Sequence, residues 1–100
     1  MGWVNDAVNE LKAGRRVQIR PQGGSMRGRI NSGQLVTLEP VDPAIVVPGD
    51  IVLVPWKGNY LLHLVTRAMP DELEIGNTLG KINGCVPRPS VIAKVTAVAD

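Results

Sequence analysis

The sequence predicts a mainly β domain with one short N-terminal helix, and three observations carry that prediction. Valine is abundant while Phe, Trp and Tyr make up only 3% of the chain, and β-branched side chains favour strands over helices. Turn signals built from Gly, Pro, Asn and Asp recur about every ten residues. Between them lie six or seven short apolar segments, several alternating apolar and polar residues as half-buried strands do. Short strands at that spacing make a barrel-like or sandwich β fold. A chain of 100 residues suits one domain, with the helix in residues 1–14 and the β core in residues 15–100.

The helix is predicted over Trp3–Ala13, where Val4, Ala7, Val8 and Leu11 fall at helical spacing and Asn5, Asp6, Asn9, Glu10 and Lys12 take the other side. Gly14 supplies its stop. Arg15–Arg20 alternates Val17 and Ile19 against Arg16, Gln18 and Arg20, which predicts a strand with one wet side, ended by Pro21. After a glycine loop and a connector, Gln34–Glu39 reads as the second strand. Glu39–Pro43 is a rigid loop and Ala44–Val47 a short edge piece.

Pro48-Gly49-Asp50 is a turn that launches Ile51–Trp56, a strand apolar on both faces and therefore central. Lys57-Gly58-Asn59 reads as a hairpin loop returning Tyr60–Arg67 antiparallel. In that strand His63 shares a face with Leu61, Val65 and Arg67, opposite Leu62, Leu64 and Thr66. Glu72–Ile75 is a short strand, Gly76–Gly84 a glycine-punctuated loop, and Ser90–Ala99 the last strand, with Val91, Ala93, Val95 and Ala97 on one side.

Composition narrows the function. Eleven basic and nine acidic residues leave a net charge of +2, too little to require a polyanionic partner. Cys85 is the one cysteine, so no internal disulfide forms, and a reducing, cytoplasmic setting is expected. It reads as a small buried hydrophobe. No apolar run is long enough for a membrane span, and the N-terminal residues lack the pattern of a secretory signal. One His and one Cys without a carboxylate cluster make no metal site, and no cofactor motif is present, the glycine loop not being a P-loop.

The chemistry concentrates on Pro21-Gln22-Gly23-Gly24-Ser25-Met26. Glycines at 23 and 24 allow a sharp turn that presents the next hydroxyl. A serine is a poor nucleophile until a base takes its proton, and His63 is the one imidazole in the chain.

The order of motifs resembles the serine peptidases grouped around type I signal peptidases and LexA-like repressors. The similar elements are Gly24-Ser25-Met26 as a nucleophile box, Val47–Val54 as the Gly-Asp-hydrophobic strand, Leu62-His63-Leu64-Val65 as the general-base box, Ile75-Gly76-Asn77 as a glycine box, and Ser90–Val95 as the closing strand. The resemblance implies a largely β, barrel-like fold, Ser25 as nucleophile forming an acyl-enzyme, and His63 as base in place of the lysine of many members. It further implies an oxyanion hole at Gly24 and Ser25, with Asn77 as a candidate to orient the imidazole. The partner implied is a peptide or protein. Asn77 stands where the family often has aspartate, and Gly28 where it often has proline. These departures keep open an alternative, a catalytically inactive peptide- or partner-binding regulatory module on the same fold, of the kind a phage-derived system would use. Ala13-Gly14 resembles the self-cleavage bond of the repressors, but a helix stop accounts for it.

Arg15, Arg16, Arg20, Arg27 and Arg29 gather near Ser25. A nucleic-acid footprint is the sharper reading of this charge, but the sequence shows neither an interleaved aromatic platform nor a recognition helix. A solvated strand face biased toward anionic groups of a peptide is preferred.

Overall fold

A computed structural model describes residues 2–21, 26 and 28–100 of the chain. Helix α1 spans Gly2–Lys12 and is followed by strands β1 (Val17–Ile19), β2 (Leu35–Glu39), β3 (Ile51–Trp56), β4 (Asn59–Ala68), β5 (Glu72–Gly76), β6 (Ile82–Pro87) and β7 (Ala93–Ala99). The strands form one antiparallel sheet in the order β1-β2-β7-β3-β4-β5-β6. The architecture is thus mainly β with one short helix, as expected. The sheet is open, with β1 and β6 as its edges.

Apolar residues cover both faces of this sheet. Ala7, Val8 and Leu11 of α1 pack with Ile19, Val36, Leu38, Ile51, Leu53 and Ala93 in a first cluster. Val46, Val52, Val54, Val65, Leu73, Ile75, Val86 and Val91 form a second. Strand β3 feeds both, which is why its sequence is apolar at consecutive positions. Its Val52, Leu53 and Val54 are each wholly buried, a burial that stabilises by about 1.5–3 kcal/mol per side chain.

The helix ends as its sequence dictates. Gly14, at φ +86°, donates to Leu11 O at 3.0 Å, and the N–H of Arg15 reaches Glu10 O at 3.0 Å, the paired bonds of a Schellman stop. The Arg15 guanidinium then grips the Glu10 carboxylate at 2.8 and 3.0 Å. This holds Glu10 below the ordinary carboxylate range, mainly through the hydrogen bond and then through charge, and raises Arg15.

Several expectations are corrected. The hairpin loop between β3 and β4 has two residues rather than three, since Trp56 pairs with Asn59. Lys57 and Gly58 both take positive φ, 49° and 79°, as a type I′ turn requires. The segment expected as an edge piece is a 3-10 turn over Pro43–Ile45, started by Asp42, whose carboxylate accepts from the Ala44 N–H at 2.9 Å. The expected loop Gly76–Gly84 runs into the unpredicted strand β6. Glycine is used there because a Cβ on residue 84 would lie 2.8 Å from the Trp56 ring. Cys85, on that strand, is exposed rather than buried. The last strand begins at Ala93, after a 3-10 turn over Arg88–Ser90.

Bulges break the expected alternation. Register skips Thr66 between β4 and β5, so Ala68 pairs with Leu73 and Arg67 with Glu74. Ala68 packs on the second cluster, so Arg67 points away from the face that strict alternation predicts for it. A second skip, at Thr96 between β7 and β2, moves Ala97 opposite Thr37 and off the side of Ala93 and Val95. At both bulges the threonine hydroxyl donates to a glutamate of the neighbouring strand, Thr66 to Glu74 at 2.9 Å and Thr96 to Glu39 at 2.7 Å.

Arg88 ties the connections over the second cluster. Its Nε donates to Met69 O at 2.7 Å and its Nη1 to Pro43 O and Val46 O at 2.8 and 3.1 Å. Arg88→Ala should lower unfolding stability by about 2–3 kcal/mol, because carbonyls beside the buried Val46 lose a charged donor. Arg88→Lys should recover only part of this, as a point charge cannot span the three acceptors; urea denaturation measures both. Glu10→Gln should reduce stability at neutral pH but not in acid. A depressed carboxyl contributes above its unfolded range and loses that contribution as pH falls through the folded value.

Candidate functional site

His63 occupies the middle of β4, opposite Val52 of β3. Leu61 and Val65 belong with the second cluster while Leu62 and Leu64 pack on the first, so His63 faces the second, with Leu61 and Val65 as alternation requires. The residue is 8% exposed. Its Nδ1 lies 2.6 Å from the carbonyl oxygen of Leu62. A carbonyl can only accept, so Nδ1 carries the proton, and in the neutral ring Nε2 is left with its lone pair. A fixed tautomer with a basic Nε2 is the state a general base needs.

Asn77 lies just past the end of β5, after Gly76 pairs with Leu64. Its Oδ1 accepts from the N–H groups of Leu79 and Lys81 at 2.9 and 3.0 Å, closing the turn from β5 to β6. The contact that orients the imidazole is the Leu62 carbonyl. Gly76 is required at that turn, since a Cβ there would lie 2.4 Å from the Lys81 backbone oxygen. Asn83, the residue skipped by the bulge between β5 and β6, has a buried Oδ1 with no hydrogen-bond partner among the described residues.

Gly24 and Ser25 lie outside the described residues. On either side of them the chain is anchored. Pro21 O accepts from Gly33 N–H at 3.2 Å. Met26 is buried in the first cluster, and its carbonyl accepts from the N–H groups of Arg29 and Ile30 at 3.0 and 2.7 Å. Arg29 then reaches across to donate from Nη2 to Gly49 O at 3.0 Å. Gly49, at φ +96°, sits third in the Val47–Asp50 turn, where a type II turn needs glycine after proline. Its own N–H donates to Val65 O at 2.9 Å. Three links therefore join the flank of Ser25 to the strand of His63: the Met26 turn, Arg29 and the Gly49 turn.

Asp50 completes this brace. One carboxylate oxygen accepts from Val47 N–H at 3.0 Å and the other meets Lys94 Nζ at 3.2 Å. Because Val52 pairs with both Lys94 and His63, those three residues form one row across β7, β3 and β4. Neither Arg29 nor the Leu62 carbonyl is distinguished by sequence reasoning, the first being one of the five arginines between residues 15 and 29 and the second a backbone group.

Among the described residues no three His, Cys, Asp or Glu side chains converge to hold a metal, and no helix is long and apolar enough to cross a membrane. The chain matches no family model and no curated protein.

The Leu62 contact fixes what nitrogen-15 NMR of the imidazole should report. At neutral pH the neutral ring should be the Nδ1–H tautomer, with Nε2 showing the shift of an unprotonated nitrogen. An Nε2–H ring would overturn the assignment of the base.

Proposed function

We propose that the chain is a serine peptidase-like domain of the signal peptidase and LexA-like kind, with Ser25 as nucleophile and His63 as general base. The observation that carries this reading is the buried imidazole whose Nδ1 is held by the Leu62 carbonyl at 2.6 Å, leaving Nε2 to act. The mainly β sheet, and the Arg29 link from the flank of Ser25 to the Gly49 turn, support it. Met26 packs in the first cluster while His63 faces the second, so the dyad requires Ser25 to reach round to that side.

In the proposed reaction Nε2 takes the Ser25 hydroxyl proton as Oγ attacks a peptide carbonyl. The backbone N–H of Ser25, presented by Gly24, donates to the oxyanion that forms, usually the largest catalytic contribution. The imidazolium then protonates the leaving amine, and water releases the acyl group from Ser25 with His63 again as base.

One observation favours the inactive alternative. The Asn77 oxygen is committed to backbone donors, and the partner found on the imidazole is a neutral carbonyl rather than a carboxylate. Incubating the purified chain with a peptide library and following products by mass spectrometry separates the two. Cleavage should fall to background in Ser25→Ala and by about 10²–10⁴-fold in His63→Ala. Cleavage that persists in Ser25→Ala sinks the assignment. A chain that binds peptides and cuts none is the regulatory module.

A further inference from the structure

Of the two edges of the sheet, only one is built to accept another strand. Edge β6 is interrupted by the bulge at Asn83, carries Gly84 at φ +149°, and ends on Pro87, which has no N–H to give; such devices block pairing. Edge β1 has no proline within it and an unbroken register with β2. Among the described residues, no other backbone hydrogen bond reaches Val17–Ile19. An unpaired row of backbone donors and acceptors is a template for an added strand.

The side chains along this edge have one sign. From Leu11 to Leu38 the sequence contains Lys12 and the five arginines and not one Asp or Glu. Val17 and Ile19 turn toward the first cluster. Gln18 faces the other way, its amide donating to Thr37 Oγ1 at 3.3 Å, and the same alternation carried one residue beyond each end of β1 puts Arg16 and Arg20 on that side. Both are exposed. The Arg20 guanidinium is held by the Gly33 carbonyl at 2.8 Å, and among the described residues no carboxylate pairs with it. Arg15 differs, being neutralised by Glu10.

We propose that the β1 edge binds an extended acidic peptide, whose carboxylates four residues apart lie opposite Arg16 and Arg20. That spacing is about 13 Å along a strand, and opposite charges directly across strands attract. The direction of the peptide toward Ser25, through Pro21, rests on the peptidase-like reading; the docking itself does not. A nucleic acid would meet the same charge, but the described aromatic side chains, Trp56 and Tyr60, sit on the β3–β4 hairpin, away from this edge, and offer no stacking platform along it.

Fluorescence anisotropy of labelled peptides with the full chain tests this. A strand-forming peptide with glutamates at positions i and i+4 should bind about tenfold more tightly than the same peptide with lysines there, and the preference should weaken with salt. Arg16→Glu/Arg20→Glu should reverse it. Because that variant also loses the Gly33 contact, its fold is checked by circular dichroism, and Arg16→Ala alone should flatten the preference by several-fold. Amide shifts on binding should centre on Val17–Ile19. Equal affinity for the two peptides, no binding of either, shifts centred on β6, or tighter arginine-dependent binding of a single-stranded oligonucleotide would each overturn the proposal. Acidic-peptide binding by a chain that cuts nothing would reject the peptidase reading and leave this one standing. Cleavage without charge preference would do the reverse.

Discussion

The two-sided burial of β3 is the constraint on which the rest of the structure depends, because a strand with no wet face forces apolar cover onto both sides of the sheet. Ile51 and Leu53 face the first cluster, Val52 and Val54 the second. On the first side the cover is α1, brought in at the N-terminus and stopped sharply at Gly14. On the second it is irregular, consisting of the turns around Pro43–Ile45 and Arg88–Ser90 with their buried neighbours Val46 and Val91. Irregular backbone over a core carries carbonyls that no ladder satisfies. Arg88 meets that need at three of them, so a charged side chain is what allows loops to serve as a core layer.

Burial of β3 also determines where a histidine can be held. His63 stands beside Val52, in a strand that pairs with β3 over Asn59–Leu64 and with β5 from Leu64 onward. The Gly49 turn begins that hairpin and receives Arg29 from the segment just after Ser25. Core packing and the candidate site thus use the same hairpin: Met26 anchors one side through the first cluster, and Val65 anchors the other through the second. Sites built on strands are held more closely than sites on loops.

Much of this was legible in the sequence, for identifiable reasons. Helix α1 and strand β3 follow from periodicity and continuous apolarity, signals that depend on few neighbours. Strand β6 was not legible. Its Asn83 and Gly84 have the composition of a turn, and the reason for glycine there is an aromatic ring that comes from β3, distant in sequence. The bulges at Thr66 and Thr96 were hidden for a similar cause, since each depends on a glutamate in another strand. At the site, His63 and its face were readable from alternation. The group that orients it was not, because a backbone carbonyl has no sequence signature, and the eye goes to Asn77 instead.

That substitution of a carbonyl for a carboxylate has a chemical consequence for any Ser/His dyad of the kind proposed. Both acceptors select the Nδ1–H tautomer, so both prepare Nε2 to take a proton. They differ once the proton has arrived. A carboxylate stabilises the imidazolium with a full opposite charge, and a carbonyl with a dipole alone, a difference magnified where water is excluded. The carbonyl therefore preserves the geometry of the base and gives up part of the stabilisation of the charged intermediate. A dyad so built is organised for proton transfer but slow in it, and it gains most from a substrate held long enough to react. The added strand proposed for the β1 edge would supply that residence without requiring a better base.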